Sequence, residues 1–327
     1  MSSAEPWTVG RLLQWTADYL KAHGSESPRL DAEVLLAHAL GCQRIDLYTR
    51  FDETPGEADR AAFRELVRRR AEGAPVAYLV GSREFYSLRF RVTPDVLIPR
   101  PETELLVVTA LDLAQGLGAS APGSSDIGVR GLGTSVPSGA SENSKTDTQK
   151  SEHLPPLSIA DVGTGSGIIA ICMAKHLPKC RVTATDVSQA ALAVAKENAA
   201  THGVADRIEF LESDLLAAVP ADRRFDLILS NPPYVAEAEV AGLARDVRDF
   251  EPRGALVAGP RGTEVIERLV PELAERLHPG GHFLVEISPT IHDAARAIVE
   301  SDGRLELGPT IKDLARLPRI VQGRRNR

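Results

Sequence analysis

The run Ser230-Asn-Pro-Pro-Tyr234 places an amide, two prolines and a phenol directly after Phe225-Asp-Leu-Ile-Leu229, an apolar stretch of strand length. Proline has no N–H to continue a central strand, so Asn231 is expected at a strand's carboxyl end, where open parallel α/β sheets bind their ligands. Each proline pushes the residue before it into an extended conformation, which makes the segment stiff. Asn231 offers one carbonyl acceptor and the Pro232 carbonyl a second. Two acceptors at a fixed separation suit a planar NH2 group, and Tyr234, beyond Pro233, adds an aromatic face for a flat amide or base. Taken alone, an Asn-Pro pair is more often just a strand-ending turn.

A second stretch changes that balance. Asp161-Val-Gly-Thr-Gly-Ser-Gly167 closes another apolar run. Gly163, Gly165 and Gly167, with Thr164 and Ser166 between them, let the backbone turn tightly and approach a ligand closely, with helix N–H groups exposed behind. A dinucleotide-binding loop would need a third glycine where this chain has Ile168, so the spacing suits a cofactor without a pyrophosphate. Asp186 follows about twenty residues after the loop, where an acid can accept both hydroxyls of a ribose; it could also serve as a helix cap. Asp214, followed by Leu215, could flank an adenine or be a turn residue. Two prolines also pin Arg100 in Ile98-Pro-Arg-Pro-Glu-Thr-Glu104, which makes Arg100 and Glu102 candidate substrate contacts.

These residues need a scaffold to bring them together. Residues 1–83 read as an all-helical domain: amphipathic stretches near 7–20, 30–40 and 58–71 end at glycines or at Arg68-Arg69-Arg70, whose cations complement a helix dipole. Residues 84–98 alternate as a β-hairpin linker around Tyr86-Ser87. Residues 99–327 alternate strand and helix as a doubly wound, mostly parallel sheet of seven strands. Residues 115–156, rich in Gly, Ser, Ala and Pro, interrupt this domain and are expected to be a disordered insertion.

Composition bounds the function. A chain of 327 residues suggests roughly two domains, and a net charge of −7 argues against stable nucleic-acid binding. No apolar run approaches the ~20 residues that span a bilayer, and Met1-Ser-Ser-Ala-Glu-Pro6 lacks a signal-peptide core. A cytoplasmic protein without membrane attachment is expected. Cys42, Cys172 and Cys180 are too scattered for a disulfide framework or a zinc site, and no metal is expected.

Together, Ile98-Pro-Arg-Pro-Glu-Thr-Glu104, Asp161-Val-Gly-Thr-Gly-Ser-Gly167, Ser230-Asn-Pro-Pro-Tyr234 and Phe250-Glu-Pro252 resemble the release factor glutamine N5-methyltransferases, within the class I, Rossmann-like S-adenosylmethionine-dependent methyltransferases. Asn-Pro-Pro-Tyr is also shared with adenine-N6 methyltransferases, the alternative reading. The resemblance implies S-adenosylmethionine as cofactor and, as substrate, the glutamine of the Gly-Gly-Gln loop of class I peptide chain release factors. A monomer whose helical domain recognises the substrate is expected. Two departures stand out: Leu215, where relatives often carry an aromatic residue, and Glu286-Ile-Ser-Pro-Thr-Ile291, expected in the pocket wall but without the Gly and Gln usual there.

Overall fold

A computed structural model describes residues 6–119 and 155–327. The chain opens with α1 (Val9–Ala22), α2 (Pro28–Ala39), α3 (Asp46–Thr49), α4 (Glu57–Ala71) and α5 (Val76–Val80). Gly24, Gly41 and Gly73 adopt positive φ just beyond α1, α2 and α4. The residue after each donates its N–H back into the last turn, Ser25 to Leu20 O, Cys42 to Ala37 O and Ala74 to Arg69 O at 3.0–3.1 Å, the left-handed closure that glycine makes cheap. The inner faces, with Leu13, Leu20, Leu35, Leu36 and Phe63, form one apolar cluster that also receives Phe250 from far along the chain. The periodicity predicts three helices here; α3 and α5 are too short to show a period. In the last turn of α4, Arg68 pairs with Glu65 and Glu72, and Arg70 Nε lies 2.8 Å from Asp31.

Gly81, with φ of 71°, ends α5, so the hairpin of β1 (Ser82–Phe85) and β2 (Leu88–Arg91) starts two residues ahead of the predicted segment. Its turn residues, Tyr86 and Ser87, both have positive φ, 51° and 58°, as a two-residue hairpin matched to strand twist requires. Neither is a residue that favours this conformation. Tertiary contacts offset the strain: Tyr86 N–H donates to Glu104 Oε1 at 2.9 Å, and its ring meets His176 edge-on at 5.2 Å.

α6 (Thr103–Ala119) runs past the predicted start of the insertion, so residues 115–119 are helical rather than disordered. The rest of that segment, through residue 154, lies outside the described residues. Beyond it come β3 (Leu157–Val162), α7 (Ile168–His176), β4 (Cys180–Asp186), α8 (Gln189–Thr201), β5 (Ile208–Glu212), β6 (Phe225–Ser230) and β7 (Val235–Ala236). α9 (Arg245–Phe250), α10 (Arg253–Leu256), β8 (Val257–Gly259), α11 (Glu264–Arg276) and β9 (Leu277–Glu286) follow, then α12 (His292–Ser301), β10 (Leu305–Leu307), β11 (Ile311–Lys312) and β12 (Pro318–Arg325).

The main sheet runs β10-β12-β9-β6-β3-β4-β5. β5, β4, β3, β6 and β9 are mutually parallel, and β12 is antiparallel to both β9 and β10. All seven predicted strands lie on this path. An eighth, β11, pairs with the start of β12, which β10 does not reach. Alternate residues of the central strands feed two different cores: Ile159, Leu227, Leu229 and Leu284 face α6 and α7, while Ala160, Val162, Ile228 and Phe283 face α11 and α12. Burial on both faces explains why these strands read as unbroken apolar runs. The order in which strands are added reverses between β3 and β6, β4 and β5 lying on one side of β3 and β6 on the other, and the resulting crevice lies beyond their carboxyl ends.

Candidate active site

A cavity of about 350 Å3 opens at that crevice. Gly163, Thr164, Gly165 and Ser166 line it from the β3 end, Asp186 from β4, Asp214 and Leu215 from β5, and Asn231 and Pro233 from β6. Pro99 and Arg100 close it from the segment before α6, with Thr103 from the first turn of α6. Ten of the predicted residues thus converge from stretches far apart in sequence.

The glycine loop is fastened by the end of β4, where Thr185 O accepts from both Gly163 N and Thr164 N at 2.9 Å. Its three glycines serve two different ends. A Cβ on Gly163 or Gly165, at φ of 75° and 55°, would meet no protein atom within 4 Å and would project into open space. A Cβ on Gly167 would press on Ile171 Cδ1 and Ala195 Cβ at 3.0 and 3.1 Å. Gly167 therefore lets α7 and α8 pack closely, and it does not line the cavity.

Beneath the loop, Asp161 is wholly buried and accepts from Thr164 Oγ1 at 2.6 Å and Ala170 N at 3.0 Å, while its Oδ1 has no partner among the described residues. Burial pushes this carboxyl up to about 6, against those two hydrogen bonds and with a contribution from nearby Asp186. Asp186 accepts from Gly165 N and Ser188 N, both at 2.9 Å. Burial raises its pKa too, and the backbone donors pull the other way. The helix cap is Ser188, which accepts from Ala191 N, so Asp186 keeps lone pairs for a ligand. Carboxylates on three adjacent strand ends favour a bound cation.

Leu215 is held at φ of 51°, a region bulky side chains seldom occupy. The next residue anchors it: Leu216 N donates to Glu272 Oε2 at 2.9 Å. The result is an apolar side chain lining the cavity beside Asp214, which pairs with Arg268 across the mouth.

Asn231 Nδ2 donates to Thr103 Oγ1 at 3.1 Å. The backbone beyond it is guided by Gly262, where a Cβ would come within 2.6 Å of Tyr234 O, and by pairing of β7 with β8. Pro232 is buried and Tyr234 half-buried; neither is among the residues lining the cavity. Burial pushes the Tyr234 phenol up to about 12, with Glu286 adding to the shift and Arg100 opposing it. Arg100 Nη2 bonds Glu251 Oε1 at 2.6 Å, and Glu251 Oε2 accepts from Ile98 N, so the Phe250-Glu-Pro252 segment clamps the proline-flanked loop. Glu102 lies at the rim, 3.8 Å from Arg319, and does not line the cavity.

Three contributors escaped the sequence reading. Thr103 bonds the Asn231 amide, Glu286 stands beside Asn231 at the neighbouring strand end, and Asn198 bridges Ser166 O at 2.9 Å and the Arg91 backbone. Asn198 is almost fully buried on a helix, a polar residue on an apolar face, and that is the only signal it gives in sequence. None of residues 286–291 lines the cavity, so the wall predicted there is instead a support behind it.

The arrangement fits a nucleoside-bearing cationic cofactor. The Gly163 and Gly165 positions open onto space a side chain would fill, Asp161 Oδ1 is buried and unpartnered among the described residues, and Asp186 stands where ribose hydroxyls can be accepted.

Comparison with known proteins agrees with this reading. The PrmC N-terminal domain model matches residues 11–81, and the methyltransferase small domain model matches residues 150–246. A release factor glutamine methyltransferase of Rhodopirellula baltica is 48% identical over 98% of this chain and 97% of its own length. One from Koribacter versatilis is 39% identical over 94% of this chain and 95% of its own length. Among solved structures, the hMettl16 catalytic domain in complex with the MAT2A 3′UTR hairpin 6 aligns with a TM-score of 0.51 at 14% identity, over 80% of this chain and 82% of that one, a likeness of fold. Such identity across nearly the whole length, spanning both the helical region and the sheet, means that the chain belongs to the release factor glutamine methyltransferase family.

Proposed function

We propose that this enzyme methylates the side-chain nitrogen of the glutamine in the Gly-Gly-Gln loop of class I peptide chain release factors, with S-adenosylmethionine as donor. Gly163, Thr164, Gly165 and Ser166 cradle the donor, Asp186 accepts its ribose hydroxyls, and Asp214 and Leu215 flank its base. When bound, the donor supplies a methyl group on a sulfonium, an electrophile already activated. An amide nitrogen is a poor nucleophile because its lone pair is delocalised into the carbonyl. The task left to the protein is alignment, which in well-oriented intramolecular reactions supplies roughly 7 to 11 kcal/mol.

Asn231 Oδ1 and the Pro232 carbonyl accept the two amide hydrogens of the glutamine, orienting its lone pair and favouring a pyramidal nitrogen. Tyr234 offers the ring against which the amide lies, Pro233 keeps the segment extended, and Arg100 and Glu102 at the entrance meet the approaching loop. No general base is assigned. The observation that supports this reading is the anchoring of Asn231 Nδ2 on Thr103, which leaves its carbonyl oxygen for a substrate. Incubation with labelled donor and either a full-length release factor or duplex DNA, followed by mass spectrometry, tests it: label on the Gly-Gly-Gln glutamine is expected, and label on adenine would replace the reading with its alternative. The net charge of −7 disfavours that alternative.

A glutamine side chain is too small to identify its protein, so selectivity comes from contacts remote from the methyl. The helical region of residues 1–83 supplies them, in a cytoplasmic, monomeric enzyme. Trp15, Ile45, Tyr48 and Phe51 are exposed there. Truncating the region would strip the cover from Phe250, so a surface substitution is the cleaner probe. Ile45, 65% exposed, replaced by Glu should raise KM for intact release factor about fivefold, the worth of roughly 1 kcal/mol of interface. Donor affinity and methylation of a short Gly-Gly-Gln peptide should not change; an unchanged KM would remove Ile45 from the docking face.

A further inference from the structure

An asparagine amide can turn over with almost no change of shape, exchanging an acceptor for a donor. If Asn231 presented Nδ2 to a substrate NH2 group, donor would oppose donor. Something must fix which end faces out, and two residues beside Asn231 are placed to do so.

Glu286 ends β9 beside β6, in register just past the Ser230–Val285 pair, and is 2% exposed. Thr103, the first residue of α6, is fully buried; its hydroxyl oxygen accepts from Asn231 Nδ2 at 3.1 Å, and the Glu286 carboxylate lies close enough to feel the hydroxyl. A hydroxyl has one proton, and a carboxylate can only accept. A Thr103 proton turned toward Glu286 leaves the Thr103 oxygen able only to accept from Asn231. We propose that Glu286 and Thr103 form a polarity relay that locks the Asn231 amide with Nδ2 inward and Oδ1 toward the substrate. The inference rests on Asn231 serving as acceptor for the substrate amide.

The relay is costly to maintain, which argues against a purely structural role. Glu286 Oε2 has no hydrogen-bond partner among the described residues, and an incompletely satisfied buried carboxylate destabilises a fold. Burial pushes the Glu286 carboxyl up to about 7, the Thr103 hydroxyl opposing and Glu102 reinforcing the shift, with Arg319 from β12 and Arg100 opposing it; Tyr234 also lies within electrostatic reach. Protonated, Glu286 becomes a donor to Thr103, which then donates to Asn231 Oδ1, and the amide turns the wrong way. Ionised Glu286 sets the productive polarity, so turnover rises with pH through about 7.

Steady-state methylation of full-length release factor, donor affinity by calorimetry and melting temperature decide the matter across four variants. Thr103→Val should lower kcat at least about tenfold, the worth of one hydrogen bond, with KM and donor affinity near wild type. Thr103→Ser should recover kcat to within about twofold, because it restores the hydroxyl. Glu286→Gln should melt no lower than wild type at neutral pH yet turn over more slowly, and its pH profile should lack the limb near 7, since a carboxamide does not titrate and can face Thr103 as donor or acceptor. Asn231→Ala serves as reference: if it is inactive while Thr103→Val and Glu286→Gln match wild type in kcat and pH profile, the relay is overturned and the role of Asn231 stands. An active Asn231→Ala overturns both. Should Thr103→Val fail to fold, Thr103→Ser and Glu286→Gln carry the same decision.

Discussion

Asn231→Ala is expected to lower kcat for release factor methylation by a factor on the order of 10^3, about 4 kcal/mol of transition-state stabilisation, while donor affinity stays within a few-fold of wild type. The side chain is half-buried at the end of β6, and its one hydrogen bond among the described residues ties the amide nitrogen to Thr103. Alanine removes an acceptor that matters most once the substrate nitrogen begins to pyramidalise, so the loss should fall on kcat rather than on KM. Asn231→Asp separates charge from hydrogen bonding. It keeps an acceptor but adds a negative charge beside a sulfonium and puts an oxygen against the Thr103 lone pairs, so tighter donor binding with slower transfer is expected. Retained turnover in Asn231→Ala would remove this residue from the reaction.

Gly165→Val should abolish donor binding measurable by calorimetry, a loss of at least about a hundredfold, because its side chain would enter the open space that the loop lines. The left-handed backbone at φ of 55° adds a conformational cost of roughly 1–2 kcal/mol, which should lower the melting temperature by only a few degrees. Gly167→Val is the informative contrast. There the side chain would collide with Ile171 and Ala195, so the damage should appear mainly as lost stability. Normal donor affinity in a folded Gly165→Val protein would place the cofactor elsewhere.

The chemistry of this protein was largely legible in its sequence, because much of it is carried by short stretches of chain. A strand stopped by Asn-Pro-Pro needs no long-range partner to set its conformation, since the missing N–H and the fixed φ of proline act locally. The same holds for the Gly163 and Gly165 turn, for Asp186 at a strand end, and for the two-faced burial that makes β3 and β6 unbroken apolar runs. Identical reasoning failed for Gly167, since close packing of α7 on α8 depends on Ala195, which no local pattern pairs with it. It also failed for Tyr86-Ser87, a turn held at positive φ by Glu104 and His176 rather than by its own residues.

The deepest layer of the site belongs to the tertiary structure alone. Thr103 reads as an ordinary helix start and Glu286 as a departure from a motif, and they lie 183 positions apart in the chain. Only the pairing of β6 with β9 and the seating of α6 over their ends bring both beside Asn231. A buried carboxylate, a hydroxyl and an amide acquire a direction only as a hydrogen-bonded chain. That direction is a property of where the residues meet, whereas the place of Asn231 at a strand end was set by the residues on either side of it.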